Sequence, residues 1–160
     1  MMNDRLFRDA MGKFATGITV VTGNFGEKIH GMTVNAFMSV SLQPKLIAIS
    51  IDEKASMYNK LQKLERFGVS ILNENQKELS MIYAGQQEKI SESAYDYLDG
   101  APVIKNALAN LSCQVCNEVK AGDHIIYIAK VWDLKVMEGD PILYFGSKYR
   151  SLKNLDTDNE

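Results

Sequence analysis

The chain has few of the residues that build metal sites and disulfide frameworks. Its 160 residues include two cysteines and two histidines, so a multi-histidine metal site is excluded and a disulfide framework is not indicated. The formal net charge of -2 provides no basic surface for nucleic acid. No apolar run approaches the ~20 residues of a membrane span, and the first residues do not resemble a signal peptide.

These absences bound the class of protein. We expect a single domain over residues 1–160, with an acidic tail from about residue 153. We also expect a cytoplasmic protein with no nucleic-acid partner and no membrane partner. The chain contains no G-x-G-x-x-G after a predicted strand, no P-loop, no H-E-x-x-H and no G-x-S-x-G. Nucleotide, zinc-protease and serine-hydrolase sites with local signatures are therefore not indicated.

A C-x-x-C pair, Cys113 and Cys116, is the one spacing typical of redox or metal chemistry. It lies inside a predicted strand over residues 111–119, where positions three apart point to opposite faces. A zinc site also needs two further ligands, and the sequence offers no second pair. We interpret both cysteines as core or surface packing residues and expect no metal site.

The spacing of apolar residues predicts a mainly β chain with few helices. Apolar residues three and four apart predict an opening helix from residue 6 that ends near residues 12–17. Further helices are predicted over residues 54–64 and 75–83, a turn at 23–26, and a long polar excursion over 84–101. Strands are predicted at residues 18–22, 29–34, 37–42, 46–51, 67–72, 107–119, 124–137 and 142–145. Without βαβ alternation, this order favours a closed or nearly closed antiparallel barrel with external helices.

The segment from Gly31 to Ser41 alternates hydroxyl and amide side chains with apolar ones. One edge of such a strand can pack while the other presents hydrogen-bond donors and acceptors. An isoalloxazine ring requires this combination of an apolar bed and short polar groups. The alternative interpretation is an ordinary half-exposed strand with Thr and Ser on its solvent face.

A second segment, residues 50–57, reads as a strand that leads into a helix start. Free N–H groups at a helix N-terminus favour an anion, and Lys54 and Ser56 add a charge and a hydroxyl for a phosphate. The alternative is that Asp52 or Glu53 caps the helix, which would repel a phosphate close by.

His124 follows Gly122 and Asp123 at the entrance of a predicted strand. The simpler interpretation is a hairpin turn in which Asp123 satisfies its own backbone. A histidine at this position is also suited to donate to a flavin edge or to guide a nicotinamide ring, because it can carry charge near neutral pH.

The order of these segments resembles the short-chain flavin reductase family, the reductase components of two-component flavin-dependent monooxygenases. The resemblance runs from about Leu6 to Leu152. It is carried by residues 7–17, 19–22, 31–36, 39–41 with Pro44, 67–72 with Gln76, 122–124, 141–145 and 149–150.

The resemblance implies an antiparallel Greek-key split β-barrel of the FMN-binding type, a homodimer, and FMN or FAD reduced by NADH or NADPH. It implies a monooxygenase as the partner that receives reduced flavin. The implied contacts to the flavin ring and ribityl chain are Thr33, Val34, Asn35, Ala36, Ser39, Val40 and Ser41. The implied contacts at the phosphate end are Ser50, Ile51, Asp52, Lys54 and Ser56. Tyr83 and Ala84 add further contacts, and His124, as the catalytic residue, and Tyr149 lie where nicotinamide approaches.

Three positions depart from the family pattern. Tyr83 stands where the family commonly has Phe, Lys45 where a second Pro often follows Pro44, and Ala129 where many members have Gly. The last change bears on nicotinamide handling rather than on flavin binding. An FMN-binding electron carrier or sensor without nicotinamide turnover therefore stays open as an alternative, as does a ferric reductase that shares the first half-reaction.

Overall fold

The computed structural model describes residues 2–85 and 94–155. The expected tail beyond residue 155 and most of the first half of the expected excursion lie outside these residues. Within these residues, the two α-helices are α1 (Asp4–Met11) and α2 (Lys77–Tyr83). The strands are β1 (Thr16–Gly17), β2 (Thr19–Phe25), β3 (Lys28–Val34), β4 (Phe37–Leu42), β5 (Lys45–Asp52), β6 (Phe67–Ile71), β7 (Tyr95–Leu98), β8 (Ala101–Ile104), β9 (Ala109–Ala121), β10 (His124–Val136), β11 (Leu143–Phe145) and β12 (Lys148–Arg150).

Seven strands form one antiparallel sheet in the order β3-β2-β6-β9-β10-β5-β4. The edge strands β3 and β4 follow each other in the chain, and a single apolar cluster contains residues from both halves of the sheet. The sheet therefore curls around one core and stays open between its edges in the described pairings. The predicted class, mainly β and antiparallel with flanking helices, is confirmed, and the arrangement agrees with a split barrel.

The main core forms because β-branched and aromatic residues are concentrated in the central strands. Phe67 and Tyr127 are its largest fully buried side chains, and Ile49 and Ile51 pack against them from β5. Consecutive buried residues in β2 show that this strand is covered on both faces. The main core packs on one face of β2, and the β7–β8 hairpin packs on the other.

Gly68 allows this hairpin to lie directly on β6. A Cβ at Gly68 would come within 1.9 Å of the carbonyl oxygen of Pro102. The hydroxyl of Thr22 donates to the same carbonyl at 2.5 Å, and the backbone N–H of Ile104 donates to Ser70 Oγ at 2.9 Å. The buried hydroxyls of the sheet thus satisfy the backbone of the second layer.

A smaller sheet of β1, β11 and β12 stands beside the barrel. Its hairpin turns at Gly146 and Ser147, whose φ angles of 56° and 62° are those of a two-residue type I′ turn. The N–H of Gly146 donates to the carbonyl of Gly12 at 2.9 Å, which ties the hairpin to the end of α1. Helix and hairpin together form a wall that faces β4 and β5.

The helix predicted over residues 54–64 is wrong. The structure has turns there, followed by a short 3₁₀ helix at Leu61–Lys63. The carboxylate of Asp52 accepts from the N–H of Lys54 at 2.8 Å, which stabilises a turn instead of a helix start. Met57 and Leu61 are fully buried in the barrel core, so packing across the barrel outweighs the local helical pattern.

Other boundaries also shift. The predicted turn at residues 23–26 is mostly strand, because β2 continues to Phe25. Gly23 leaves room for the Leu64 side chain rather than making a turn, since a Cβ there would lie 2.5 Å from the terminal methyl of Leu64. Within the predicted excursion, residues 95–98 form β7, and Asp99 and Gly100 make its turn at positive φ. Helix α1 ends at Met11, earlier than the expected end near residues 12–17.

Within the described ranges, no helix combines the length and apolar character needed to cross a membrane. The same residues contain no cluster of three or more His, Cys, Asp or Glu side chains that could hold a metal ion. Cys113 is buried in the core and Cys116 is exposed, which confirms that the C-x-x-C pair points to opposite sides of β9. Burial raises the pKa of the Cys113 thiol from 9.0 to about 12.

Candidate functional site

A cavity of about 670 Å³ lies between the α1–hairpin wall and the sheet strands β4, β5 and β10. Most of its surface is apolar, and its polar groups are few. It is lined by Arg8, Met11, Gly12, Phe14, Thr16, Asn35, Ala36, Phe37, Met38, Ala48, Ile49, Ser50, Ile126, Tyr144, Gly146 and Ser147. This size and lining are typical of a pocket for a small organic cofactor.

The polar side of this cavity is built on the crossing from β3 to β4. The N–H of Ser50 donates to the carbonyl of Ala36 at 3.0 Å, and the N–H of Phe37 donates to the carbonyl of Asn35 at 3.0 Å. These bonds fix residues 35–36 against β5. The hydroxyl of Thr16, across the cavity on β1, is buried without a hydrogen-bond partner. An unpaired buried hydroxyl is costly in a cavity wall unless a ligand or water pairs with it.

A second cavity of about 160 Å³ continues from the first and shares Asn35 and Tyr144 with it. Thr33, Ser80, Ala84 and Tyr149 complete most of its lining. The hydroxyl of Thr33 donates to the carbonyl of Ser80 at 2.7 Å, and Ser80 Oγ lies 3.0 Å from the hydroxyl of Tyr149. Helix α2 is therefore bonded to β3 and β12 at this end of the site.

Six of the residues expected at the site line the two joined cavities. Asn35, Ala36 and Ser50 line the larger cavity, and Asn35 joins it to the smaller one. The smaller cavity also contains three expected residues, Thr33, Ala84 and Tyr149. The structure thus brings together positions that are more than a hundred residues apart in the chain.

His124 lies near this group and outside the lining of both cavities. It pairs with Asp52 in the register of β10 and β5, two residues from the pair of Ile126 and Ser50 in the cavity wall. Residues two apart share a face, which places His124 on the cavity side about 7 Å along the strand. Its Nδ1 lies 2.8 Å from the carboxylate of Asp123, and this hydrogen bond lowers the pKa of Asp123.

Other expected contact residues lie elsewhere. Val34 and Ile51 are buried in the barrel core, so only their backbone groups are available to a ligand. Ser39 and Val40 are exposed on the edge strand β4, next to the half-buried Ser41, outside the lining of both cavities.

The structure removes the main reason to expect a phosphate site at residues 50–56. Lys54 and Ser56 are exposed on turns, and no helix begins there, so a helix dipole cannot favour an anion. The carboxylate of Asp52 already occupies the N–H of Lys54. A phosphate at residues 50–56 would depend on side-chain charge and on other backbone groups.

Tyr83 also differs from its expected position. Its side chain turns away from the joined cavities and lines a separate cavity of about 830 Å³ with Gly31 and Tyr95. Its hydroxyl donates to that of Tyr95. Only the next residue, Ala84, faces the smaller cavity.

The sequence interpretation missed the whole second wall of the site, which includes Arg8, Phe14, Thr16, Tyr144 and Ser147. One signal was available. The Gly-Ser pair between two aromatic segments is typical of a two-residue hairpin, which places both arms side by side. Nothing local shows that α1 faces a cavity instead of the core, since its apolar face has the spacing of any packed helix.

Comparison with known proteins agrees with this site. The family model described as flavin reductase like domain matches residues 11–153. An NADH-dependent flavin reductase from Rhodococcus sp is 36% identical over 154 residues, covering 94% of this chain and 88% of that protein. The 4-hydroxyphenylacetate 3-monooxygenase reductase component of Thermus thermophilus is 37% identical over 147 residues, covering 91% and 95%.

A solved structure supports the same conclusion. The flavin reductase PheA2 in its native state is 56% identical and superposes with a TM-score of 0.91, over 96% of this chain and 100% of that one. The resemblance noted from the sequence is thereby confirmed over nearly the whole chain. The chain belongs to the flavin reductase-like family.

Proposed function

We propose that this chain is an NADH-dependent flavin reductase that reduces FMN or FAD and supplies reduced flavin to a monooxygenase. The observation that carries the proposal is the joined pair of cavities, which combines an apolar bed with a polar end at Asn35. The relatives support the same activity, since they are named as NADH-dependent flavin reductases and as monooxygenase reductase components. NADPH is a weaker second reductant in this proposal.

The residues present fit a flavin. Phe14, Phe37 and Ile126 offer apolar surface to a planar ring. Thr16 offers the buried unpartnered hydroxyl, and Asn35 offers an amide where the two cavities meet. A tricyclic ring with a polar edge satisfies both kinds of surface at once.

When bound, the flavin and nicotinamide supply the redox chemistry, a hydride transfer to flavin N5. The chain's own contribution is positional. The hydrogen bonds of residues 35–37 and 50 hold the cavity floor in one conformation, so a ring bound there is held without reorganisation. Backbone and side-chain donors near Asn35 would hydrogen-bond the polar edge of a flavin ring held in the cavity. The exposed guanidinium of Arg8 at the cavity wall attracts the anionic groups of either cofactor.

His124 is proposed to act from the rim. The hydrogen bond of Nδ1 with Asp123 orients the imidazole and leaves Nε2 free for a ligand. The imidazole of His124 would then guide the nicotinamide or donate a hydrogen bond to the flavin edge. Lys54 and Ser56, one strand away, are proposed to reach an anionic group through side-chain charge and hydroxyl.

The protein is also proposed to be a homodimer that works in the cytoplasm, where its free cysteines stay reduced. Large apolar side chains are exposed around the cavity, among them Phe14 at 78% and Met38 at 60%. Leu42, on the edge strand β4, extends this surface. A second copy that covers it would remove apolar surface from water and would protect the sheet edge.

The dimer is tested by light scattering after size-exclusion chromatography. The wild type is expected to elute with twice the chain mass, and Met38→Lys is expected to shift it towards the monomer because a charge would be buried at the contact. Val119→Lys, which places the same charge on an exposed apolar residue of β9, is the control and is expected to leave the elution unchanged. A monomeric wild type would refute the homodimer.

The activity is tested by following NADH oxidation with purified protein and added FMN or FAD. We expect turnover with either flavin and a loss of at least about tenfold in kcat/KM for NADH in His124→Ala, because a positioning group contributes on this scale. A protein that binds flavin tightly and does not oxidise NADH would instead be an electron carrier. Asn117→Ala, an exposed change on β9, is the control.

A further inference from the structure

The hydroxyl groups of Tyr83 and Tyr95 form a short hydrogen bond of 2.5 Å between the end of α2 and the strand β7. Their rings meet edge to face, with centroids 6.4 Å apart and an angle of 63° between the ring planes. Tyr83 is 8% exposed and belongs to the second apolar cluster, while Tyr95 packs against that cluster from outside. The pair therefore joins two elements that are not neighbours in a sheet.

The backbone of β3 is shaped to accept the Tyr83 ring. A Cβ at Gly31 would lie 2.5 Å from the ring, so a larger residue there would displace it. Gly31 and Thr33 share a face of β3, and Thr33 donates to the carbonyl of Ser80 one turn before Tyr83. The last turn of α2 is thus held against β3 at two points and against β7 at a third.

This last turn carries part of the candidate site. Ser80 and Ala84 line the smaller cavity together with Tyr149, whose hydroxyl contacts Ser80. The Tyr83 side chain, between them in sequence, points to the other side. Its contacts set where the cavity-lining residues lie without touching that cavity.

We propose that the Tyr83–Tyr95 hydrogen bond is a positioning device that fixes the α2 end of the flavin cavity and so raises flavin affinity. The inference rests on the proposed flavin binding and goes beyond it, because it assigns Tyr83 an indirect role and gives Tyr95 a role in the site. The hydroxyl of Tyr83 is the feature that matters for this role, since a phenylalanine ring would pack equally well against Gly31.

The chemistry of the pair supports a fixed arrangement. Burial raises the pKa of Tyr83 far above its usual range, with a further rise from its hydrogen bond to Tyr95. Burial also raises the pKa of Tyr95. Both phenols therefore stay protonated at the pH of any ordinary assay, and the bond persists. Removing one hydroxyl leaves the other half-buried without this partner, which is more costly than removing both.

The test is a double-mutant cycle of Tyr83→Phe and Tyr95→Phe, read out as the FMN dissociation constant from quenching of flavin fluorescence. Each single variant is expected to weaken FMN binding about 3- to 10-fold, the range of one lost hydrogen bond. The double variant is expected to be no weaker than either single variant, because the two hydroxyls act as a unit. In turnover, the loss is expected in the flavin KM more than in kcat.

Tyr97→Phe is the matched control, because Tyr97 lies on the same hairpin and is 62% exposed. It is expected to bind FMN as the wild type does. Unchanged FMN affinity in both single variants, with a lowered melting temperature, would show a purely structural pair and overturn the inference. Additive losses in the double variant would overturn it too. A wild type that binds no flavin would refute the proposed function itself, before the cycle is measured.

Discussion

The barrel core and the wall of the cavity are built in opposite ways. In the core, Phe67 and Tyr127 are fully buried and every strand is paired on at least one side. In the wall, helix α1 buries none of its residues, and its apolar side chains remain exposed beside the cavity. The wall is tied to the barrel by a few backbone bonds, such as that from the N–H of Ile142, next to β11, to the carbonyl of Leu72, next to β6, at 3.4 Å.

This difference separates stability from binding. Core residues contribute to folding through burial, whereas exposed wall residues gain contacts only when something else covers them. A substitution in the core should therefore lower stability, and one in the wall should lower affinity at nearly constant stability. Four predictions test this separation, in order of decreasing effect.

Gly68→Ala is expected to destabilise the protein by at least about 3 kcal/mol, because overpacking against backbone cannot be relieved by a side-chain rotation. The added methyl would lie 1.9 Å from the carbonyl of Pro102 and force the β7–β8 hairpin away from β6. Urea unfolding measures the change. Gly17→Ala is the matched control, since a Cβ at Gly17 meets nothing within 4 Å. A loss under about 1 kcal/mol at Gly68 would mean that the hairpin is not held to the core as described.

The core should also lose stability above pH 9 through Cys113. The folded state keeps this thiol protonated up to about pH 12, whereas the unfolded chain releases the proton from about pH 9.0. The folded state therefore binds more protons between these values, and stability falls as pH rises, by up to about 1.4 kcal/mol per pH unit. Urea unfolding of wild type and Cys113→Ala at pH 8 and pH 10.5 should show a smaller decrease in the variant. Cys116→Ala, a change at an exposed position of the same strand, should lose as much stability between the two pH values as the wild type does.

In the wall, Phe14→Ala is expected to weaken FMN binding about tenfold, the loss of one partly buried aromatic contact. The melting temperature should change little, because the side chain is 78% exposed without a ligand. Fluorescence titration and calorimetry measure the two quantities. Leu134→Ala, half-exposed on β10 and outside the cavity lining, should change neither. A fall in stability with unchanged affinity at Phe14 would reverse the comparison between wall and core.

The smallest effect is expected at the start of α1. The side chain of Asn3 accepts from the N–H of Arg5 at 2.7 Å and caps the helix. Asn3→Ala should destabilise the helix by about 1 kcal/mol. Because α1 is not buried, this loss should appear as faster amide hydrogen exchange in residues 5–11 and not as a lower global stability. Asn3→Asp preserves the cap and should exchange at the wild-type rate.

The two site predictions that the structure changes most are Tyr83 and the segment at residues 50–56. The family pattern places an aromatic ring at residue 83, and the sequence alone cannot show on which side of α2 it lies. The packing against Gly31 and the bond to Tyr95, both distant in the chain, decide this. At residues 50–56, Asp52 and the buried Met57 replace the expected helix start with turns. The predicted role of His124 in catalysis stays a prediction.

The sequence by itself determined the mainly β class, most of the strands and the membership of the family. It could do so because runs of β-branched residues and ordered motifs are local signals. Only the tertiary structure decided that α1 and the β11–β12 hairpin face Asn35 and Ser50 across one cavity. Periodicity shows which residues share a face, but the partner of that face depends on contacts between distant segments, which no local pattern encodes.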